Sequence, residues 1–209
     1  MTPYFVKEGY RIRETPEYHN ADADGDVVWQ PDVYRELGEM ARLRRSRRLV
    51  DLGCGDGVKL AQFADEFELI GIDFGPNVEY CRQRFACGRW VEHDLDSAEP
   101  LPLDPEWLRG AVVVCADVIE HLRRPERLLR KIQSALNFAD AALLSTPERD
   151  LTRGPDDCGP PSNPCHVREW TSAEFADLLG AEGFEDVVMG LTRSNDSATD
   201  ERTILARLQ

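Results

Sequence analysis

A chain of 209 residues, 42% hydrophobic and 31% charged, has the size and composition of one α/β domain that can bury a core without disulfides or structural metal. Its formal charge of −14, from 25 basic and 39 acidic side chains, opposes tight binding to a phosphate backbone, so no nucleic-acid partner is expected. The longest apolar runs, such as 110–116, are too short to cross a bilayer, and no basic-then-apolar leader follows Met1, so a cytoplasmic protein without membrane attachment is expected.

Residues 1–30 read as irregular and polar, with a loop at Asp22, Asp24, Gly25 and Asp26. A helix is predicted from Pro31, where proline suits the first turn, and Val33, Leu37, Met40, Ala41 and Leu43 form its apolar stripe. Arg42, Arg44, Arg45, Arg47 and Arg48 close it as a solvated basic end that suits the negative pole of the helix dipole.

Short apolar runs then alternate with amphipathic stretches. Strands are predicted at 49–52, 68–73, 89–92, 111–115 and 141–145, with helices near 57–66, 76–86 and 124–136. Such alternation implies a parallel sheet covered by helices on both faces. Near the C-terminus, residues 171–182 form a helix capped by Thr171 or Ser172, with Glu174 in the first turn and Gly183 as the stop. Residues 185–189 and 203–208 are two more strands, and the polar loop between them has no room for a helix, so they pair antiparallel. Between 146 and 169 there is little periodicity, and five prolines interrupt the chain. A loop this long, leaving the carboxyl end of a strand, marks a place where ligands bind.

The six cysteines include no C-x-x-C pair, and Cys54 and Cys115 fall in or beside apolar strands, so reduced thiols are expected.

The most informative stretch is Leu49-Val50-Asp51-Leu52-Gly53-Cys54-Gly55-Asp56-Gly57. A strand runs into glycines at alternate positions, which lets the backbone turn sharply and come close to a ligand. The spacing is not that of a dinucleotide loop, and no Lys-Ser/Thr follows, so this is not a phosphate loop. Asp51 and Asp56 flank the glycines and favour a ligand with positive charge, such as an amino group or a sulfonium. Asp73 ends the second strand, twenty residues after Gly53, where a carboxylate can hold ribose hydroxyls. Asp94 follows the third strand and Asp117 the fourth.

The glycine stretch resembles motif I of class I S-adenosylmethionine (SAM)-dependent methyltransferases. Ile70-Gly71-Ile72-Asp73-Phe74, Val91-Glu92-His93-Asp94-Leu95 and the segment ending Asp117-Val118-Ile119-Glu120-His121-Leu122 are similar to the next three motifs, in order, the last of them as in ubiquinone-type O-methyltransferases. The resemblance implies a Rossmann-like fold, with a seven-stranded sheet in the order 3-2-1-4-5-7-6, strand 7 antiparallel, and helices on both faces. It also implies SAM as cofactor and S-adenosylhomocysteine as product. Gly53, Gly55 and Gly57, with Asp51 and Cys54, would line the methionine part. Asp73 would hold the ribose, Phe74 the adenine face, and Asp94 and Leu95 the adenine edge. Ala116, Asp117 and Val118 would lie at the sulfonium end. Related enzymes use an N-terminal element as a lid, which implies a lid and helix over 1–45 on a cofactor domain over 46–209, with Gln30 or Tyr34 reaching the SAM carboxylate.

Methyl transfer releases a neutral thioether and so mainly requires positioning, but a hydroxyl acceptor must lose a proton. Among four histidines, His121 follows the fourth strand and His166 sits in a segment similar to the H-x-R-x-[WF]-[TS] run of many small-molecule methyltransferases. Either can be the base or a structural residue. Arg168 can bind an anionic acceptor or pair with Glu169 or Asp157. No metal site is expected, since neither the cysteines nor the adjacent Asp156 and Asp157 supply a full ligand set. The expected activity is methylation of a small-molecule hydroxyl. An N-, thiol or metalloid acceptor, or a SAM-binding regulator without turnover, stands as the alternative. The oligomeric state is open, a homodimer included.

Overall fold

The computed structural model describes residues 3–19 and 27–209, so the loop expected around Asp22, Asp24, Gly25 and Asp26 lies outside the described residues. One sheet holds β1 (Arg48–Leu52), β2 (Glu68–Asp73), β3 (Arg89–Glu92), β4 (Val112–Ala116), β5 (Ala141–Pro147), β6 (Val187–Arg193) and β7 (Glu201–Leu208). Its order is β3-β2-β1-β4-β5-β7-β6. Strands β1 to β5 pair in parallel, and β7 is antiparallel to both β5 and β6. The helices are α1 (Pro31–Arg44), α2 (Val58–Ala61), α3 (Pro76–Arg84), α4 (Pro105–Leu108), α5 (Pro125–Leu136), α6 (Arg149–Arg153) and α7 (Ser172–Ala181).

Strand residues alternate between faces, and this sorts the core into two layers. Val50, Leu52, Ile70, Ile72, Val113, Cys115 and Leu144 meet Leu128, Leu129 and Ile132 of α5 and Phe175 and Leu178 of α7. Leu49, Val112, Val114 and Leu143 face the other way, onto Val33, Tyr34, Leu37 and Ala41 of α1, Leu60 of α2 and Val78 and Cys81 of α3. Asp51 shares the parity of Leu49, so β1 carries a carboxylate into the second layer. Thr171 caps α7 through a full capping box with Glu174.

Several elements depart from the sequence expectation: α4 falls where no helix was expected, and β6 runs further than the 185–189 expected for it. The helix expected over 57–66 is the short α2 followed by turns at 62–66. There the chain folds Phe63 under α1, so close that a Cβ on Gly38 would lie 2.7 Å from its ring. The aperiodic stretch 146–169 contains α6, whose inward residue is Arg149, 1% exposed. Arg149 donates to Glu174 at 2.6 Å and Asp150 at 2.9 Å. A helix that buries a charge instead of an apolar stripe leaves no hydrophobic period to read.

The N-terminal residues run as a strap along the proline-rich loop. Arg11 N–H donates to the Cys158 carbonyl, Arg13 N–H to Val167 and Glu17 N–H to Pro164, at 2.8, 2.8 and 3.0 Å. Among the described residues, no helix is long and apolar enough to cross a membrane.

Candidate active site

β1 ends at Leu52, and the chain turns through Gly53, Gly55 and Gly57 with φ of 87°, 56° and 75°. The amides of Gly53 and Cys54 both donate to the Ile72 carbonyl, at 2.7 and 3.0 Å, which ties the turn to the end of β2. A Cβ on Gly53 would lie 2.3 Å from Val118, so glycine is required there for contact as well as conformation. At Gly57 the added carbon would meet Cys81 Sγ and Trp90, at 2.9 Å each, so this glycine abuts α3 and β3.

Above the carboxyl ends of β1, β2 and β4 lies a cleft of about 1300 Å³. Of the residues singled out in the sequence, Gly53, Cys54, Gly55, Asp73, Phe74, Asp94, Leu95, Ala116, Asp117, Val118, His121 and His166 line it. Asp51, Gly57 and Gln30 stand behind that lining.

Asp73 closes the gap between glycine turn and β2. Its Oδ2 accepts from the Gly55 amide at 2.8 Å; its Oδ1 accepts from the Phe74 amide at 2.8 Å and Asn77 Nδ2 at 3.3 Å. Burial raises its pKa against these bonds. A carboxylate offers about four acceptor positions, so one remains for a ligand hydroxyl. The Phe74 ring is exposed and meets Tyr18 edge-on at 5.2 Å. The carboxylate of Asp94 forms a local turn by accepting from the Asp96 amide at 2.8 Å.

Asp51 is fully buried, takes the Tyr34 hydroxyl at 2.7 Å, and has its pKa pushed up to about 6 by burial. Asp117 has a left-handed φ of 53°. Ser145 Oγ donates to its Oδ1 at 3.1 Å, and Gln30, at the N-cap of α1, donates through Nε2 to its Oδ2. Burial raises the Asp117 pKa, and the Lys59 ammonium opposes that shift.

The cleft lining also holds a histidine cluster. The His121 and His166 rings meet edge-on with centroids 4.7 Å apart, and His19 lies 5.4 Å from His121. Burial, with the neighbouring imidazoles, pushes His121 down to about 3. Its Nδ1 is 3.1 Å from the Cys165 carbonyl, which can only accept, so Nδ1 carries the proton and Nε2 the lone pair. His166 Nδ1 is 2.7 Å from Glu169 Oε1, which assigns the same tautomer. Glu120 is wholly enclosed; its Oε2 accepts from Thr146 Oγ1 at 3.0 Å. Burial, then the charge of Asp117, raises the Glu120 pKa well above the usual carboxylate range.

Arg168 does not take either of the roles expected for it. It is 1% exposed and donates to the carbonyls of Leu122 at 2.9 Å and Arg123 at 3.1 Å. The pairing with Glu169 and Asp157 belongs to Arg153. Sequence reasoning passed over Tyr18, Val27 and Val28, exposed apolar groups on the cleft wall beside Trp29, and Lys59, a cation in its lining. Exposed apolar side chains in an irregular segment carry no period, so only the assembled cleft reveals them.

The methyltransferase-domain family model matches residues 27–188. A curated relative from Mycolicibacterium smegmatis, a probable S-adenosylmethionine-dependent methyltransferase, is 33% identical over 163 residues, or 77% of this chain. The chain spans 57% of that relative's length. Among solved structures, the N-terminal domain of EvdMO1 with S-adenosylhomocysteine bound superposes with a TM-score of 0.59 at 17% identity, covering 87% of this chain and 82% of that one. The small RNA methyltransferase HEN1 gives 0.59 at 20% identity, covering 94% of this chain and 27% of that one. These likenesses show the fold, and the family match carries the cofactor. The chain belongs to the class I S-adenosylmethionine-dependent methyltransferases.

Proposed function

We propose that the chain transfers the methyl group of SAM to a hydroxyl oxygen of a small-molecule acceptor. The observation that carries this reading is the pair of imidazoles whose Nδ1 sides are taken, His121 by the Cys165 carbonyl and His166 by the Glu169 carboxylate. Both rings line the cleft and keep Nε2 as the nitrogen that can take a hydroxyl proton. His166, in the same tautomer beside His121, is the second candidate base. The acceptor oxygen attacks the methyl carbon, the carbon–sulfur bond breaks, and its electron pair stays on sulfur.

The cofactor assignment follows the lining of the other half. The backbone of Gly53, Cys54 and Gly55 takes the methionine part, with Asp51 and Gly57 fixing the turn from behind. Asp73 binds the ribose and Phe74 stacks on adenine, whose edge meets Asp94 and Leu95. Ala116, Asp117 and Val118 face the sulfonium, and Gln30 orients Asp117. Asp56, Asp73, Asp94 and Asp117 all line the cleft, and negative potential there suits a cation. Residues 1–45 form the lid and helix, 46–209 the cofactor domain. Tyr18, Val28 and Trp29 on the cleft wall support the lid role and an acceptor with apolar surface. The net charge of −14 favours this acceptor over RNA.

Labelled SAM offered with panels of phenols, alcohols, amines, thiols and RNA oligomers tests the reading. Label should pass to hydroxyl compounds. His121→Ala should cut kcat about 100-fold or more with affinity for S-adenosylhomocysteine kept. Full turnover in both His121→Ala and His166→Ala would overturn the base. Label found only on amines, thiols or RNA would overturn the acceptor. Cys158→Ser, at an exposed thiol, should leave hydroxyl methylation intact.

A further inference from the structure

We infer that Glu120, His121 and His166 form a binding site for one divalent first-row transition cation, such as Mn²⁺, Fe²⁺, Co²⁺ or Zn²⁺. This departs from the expectation of no metal. Each of the three residues offers one ligand atom, and these atoms lie within 4.8 Å of one another. Glu120 and His121 come from the 3-10 turn after β4, at Ile119–His121, while His166 comes from the loop before α7. No sequence spacing joins them.

The independent pointer to a ligand is Glu120 Oε1. It is buried, and among the described residues no donor reaches it. His166 Nε2, the nearest basic nitrogen, stands 3.9 Å away, too far for a hydrogen bond. An unpartnered carboxylate oxygen in an enclosed position is costly, and a cation removes that cost.

The imidazoles are already oriented as metal ligands. Such histidines donate one ring N–H to a carbonyl or carboxylate and turn the other nitrogen to the ion. His121 Nδ1 has the Cys165 carbonyl, and His166 Nδ1 has Glu169, itself held by Arg153 at 3.2 Å. With Nδ1 engaged in each ring, Nε2 is the nitrogen left to face an ion. Asn163 Nδ2, 3.0 Å from His166 Nε2, is the one donor to swing aside, and Asn163 is exposed.

Two imidazole nitrogens and one carboxylate suit borderline divalent ions and not Ca²⁺ or Mg²⁺, which seek all-oxygen shells. Three protein ligands leave positions open towards the cleft, which His121 and His166 line. A bound ion would acidify an acceptor hydroxyl held at one of them, whose proton would pass to solvent. The oxygen lone pair would then bond to the sulfonium methyl, and the carbon–sulfur pair would return to sulfur. Any role of the ion towards the acceptor rests on the proposed hydroxyl reading, where it would be the alternative to a free imidazole base; the ion site itself does not depend on that reading.

The test is a Co²⁺ titration of the whole chain after chelator treatment, followed by visible absorption, without acceptor or SAM. One equivalent should bind in the low-micromolar range or tighter, with bands of a nitrogen and oxygen shell. Glu120→Gln, which keeps the shape, and His166→Ala should each weaken binding about tenfold or more. A wild-type chain that takes up no stoichiometric Co²⁺, or variants that bind it as well as wild type, overturn the site, and the wild-type titration needs no variant to fold. If Co²⁺ binds but no hydroxyl is methylated, the site stands and the acceptor reading falls. If hydroxyl methylation runs at full rate in chelator and Co²⁺ does not bind, the imidazole base stands and the site falls.

Discussion

The Tyr34 hydroxyl of α1 donates to Asp51 Oδ2 in β1 at 2.7 Å, joining the N-terminal helix to the strand that leads into the glycine turn. Both side chains are buried, and the other Asp51 oxygen has no hydrogen-bond partner among the described residues. Burial pushes the Asp51 pKa to about 6 in the folded chain, against about 4 for an unfolded aspartate. The folded state therefore binds the proton more tightly. Its stabilising contribution is fully present below about pH 4 and is lost as pH rises through about 6. Asp51→Asn imitates the protonated form. It should unfold at higher urea than wild type at pH 8, by up to about 3 kcal/mol, and the advantage should shrink to little at pH 4. A pH-independent difference would contradict the assignment.

Asp73 should govern cofactor affinity. Asp73→Ala removes both the proposed ribose acceptor and the brace on the Gly55 amide. Calorimetry should show S-adenosylhomocysteine binding weakened about 10- to 100-fold, in line with the loss of hydrogen bonds to a charged group. Asp73→Asn, which keeps one acceptor oxygen, should lie between that variant and wild type.

Gly57→Ala tests a glycine that abuts other elements without lining the cleft. The new methyl would be forced against Cys81 and Trp90 from a backbone at φ 75°. Left-handed strain costs about 1–2 kcal/mol and overpacking about 1–3 kcal/mol. Urea unfolding should show a loss of about 2–4 kcal/mol.

Arg168 is expected to matter for stability and not for acceptor binding. Its removal leaves the Leu122 and Arg123 carbonyls without their donor inside the fold. Arg168→Ala should cost about 2–4 kcal/mol. Arg168→Lys should recover little, because an ammonium cannot reproduce the planar fork that spans both carbonyls. Chemical denaturation of the two variants, beside wild type, measures both effects.

The sequence by itself determined the strands and helices in chain order, while the order of strands in the sheet came from the family resemblance. Strands with buried runs, helices with one apolar face and glycines at positive φ are local features, because backbone geometry sets their periods. The same local reading marked the glycine turn, Asp73 and the carboxyl ends of the strands, since each motif is contiguous and ordered along the chain. Tertiary structure alone decided which side chains meet. Glu120 and His121 lie more than forty residues from His166, and the strap at 3–19 meets the proline-rich loop across most of the chain. It also turned Arg168 into the interior and left Gly57 behind the cleft lining. Such contacts depend on how helices pack across the sheet, and no local period encodes that.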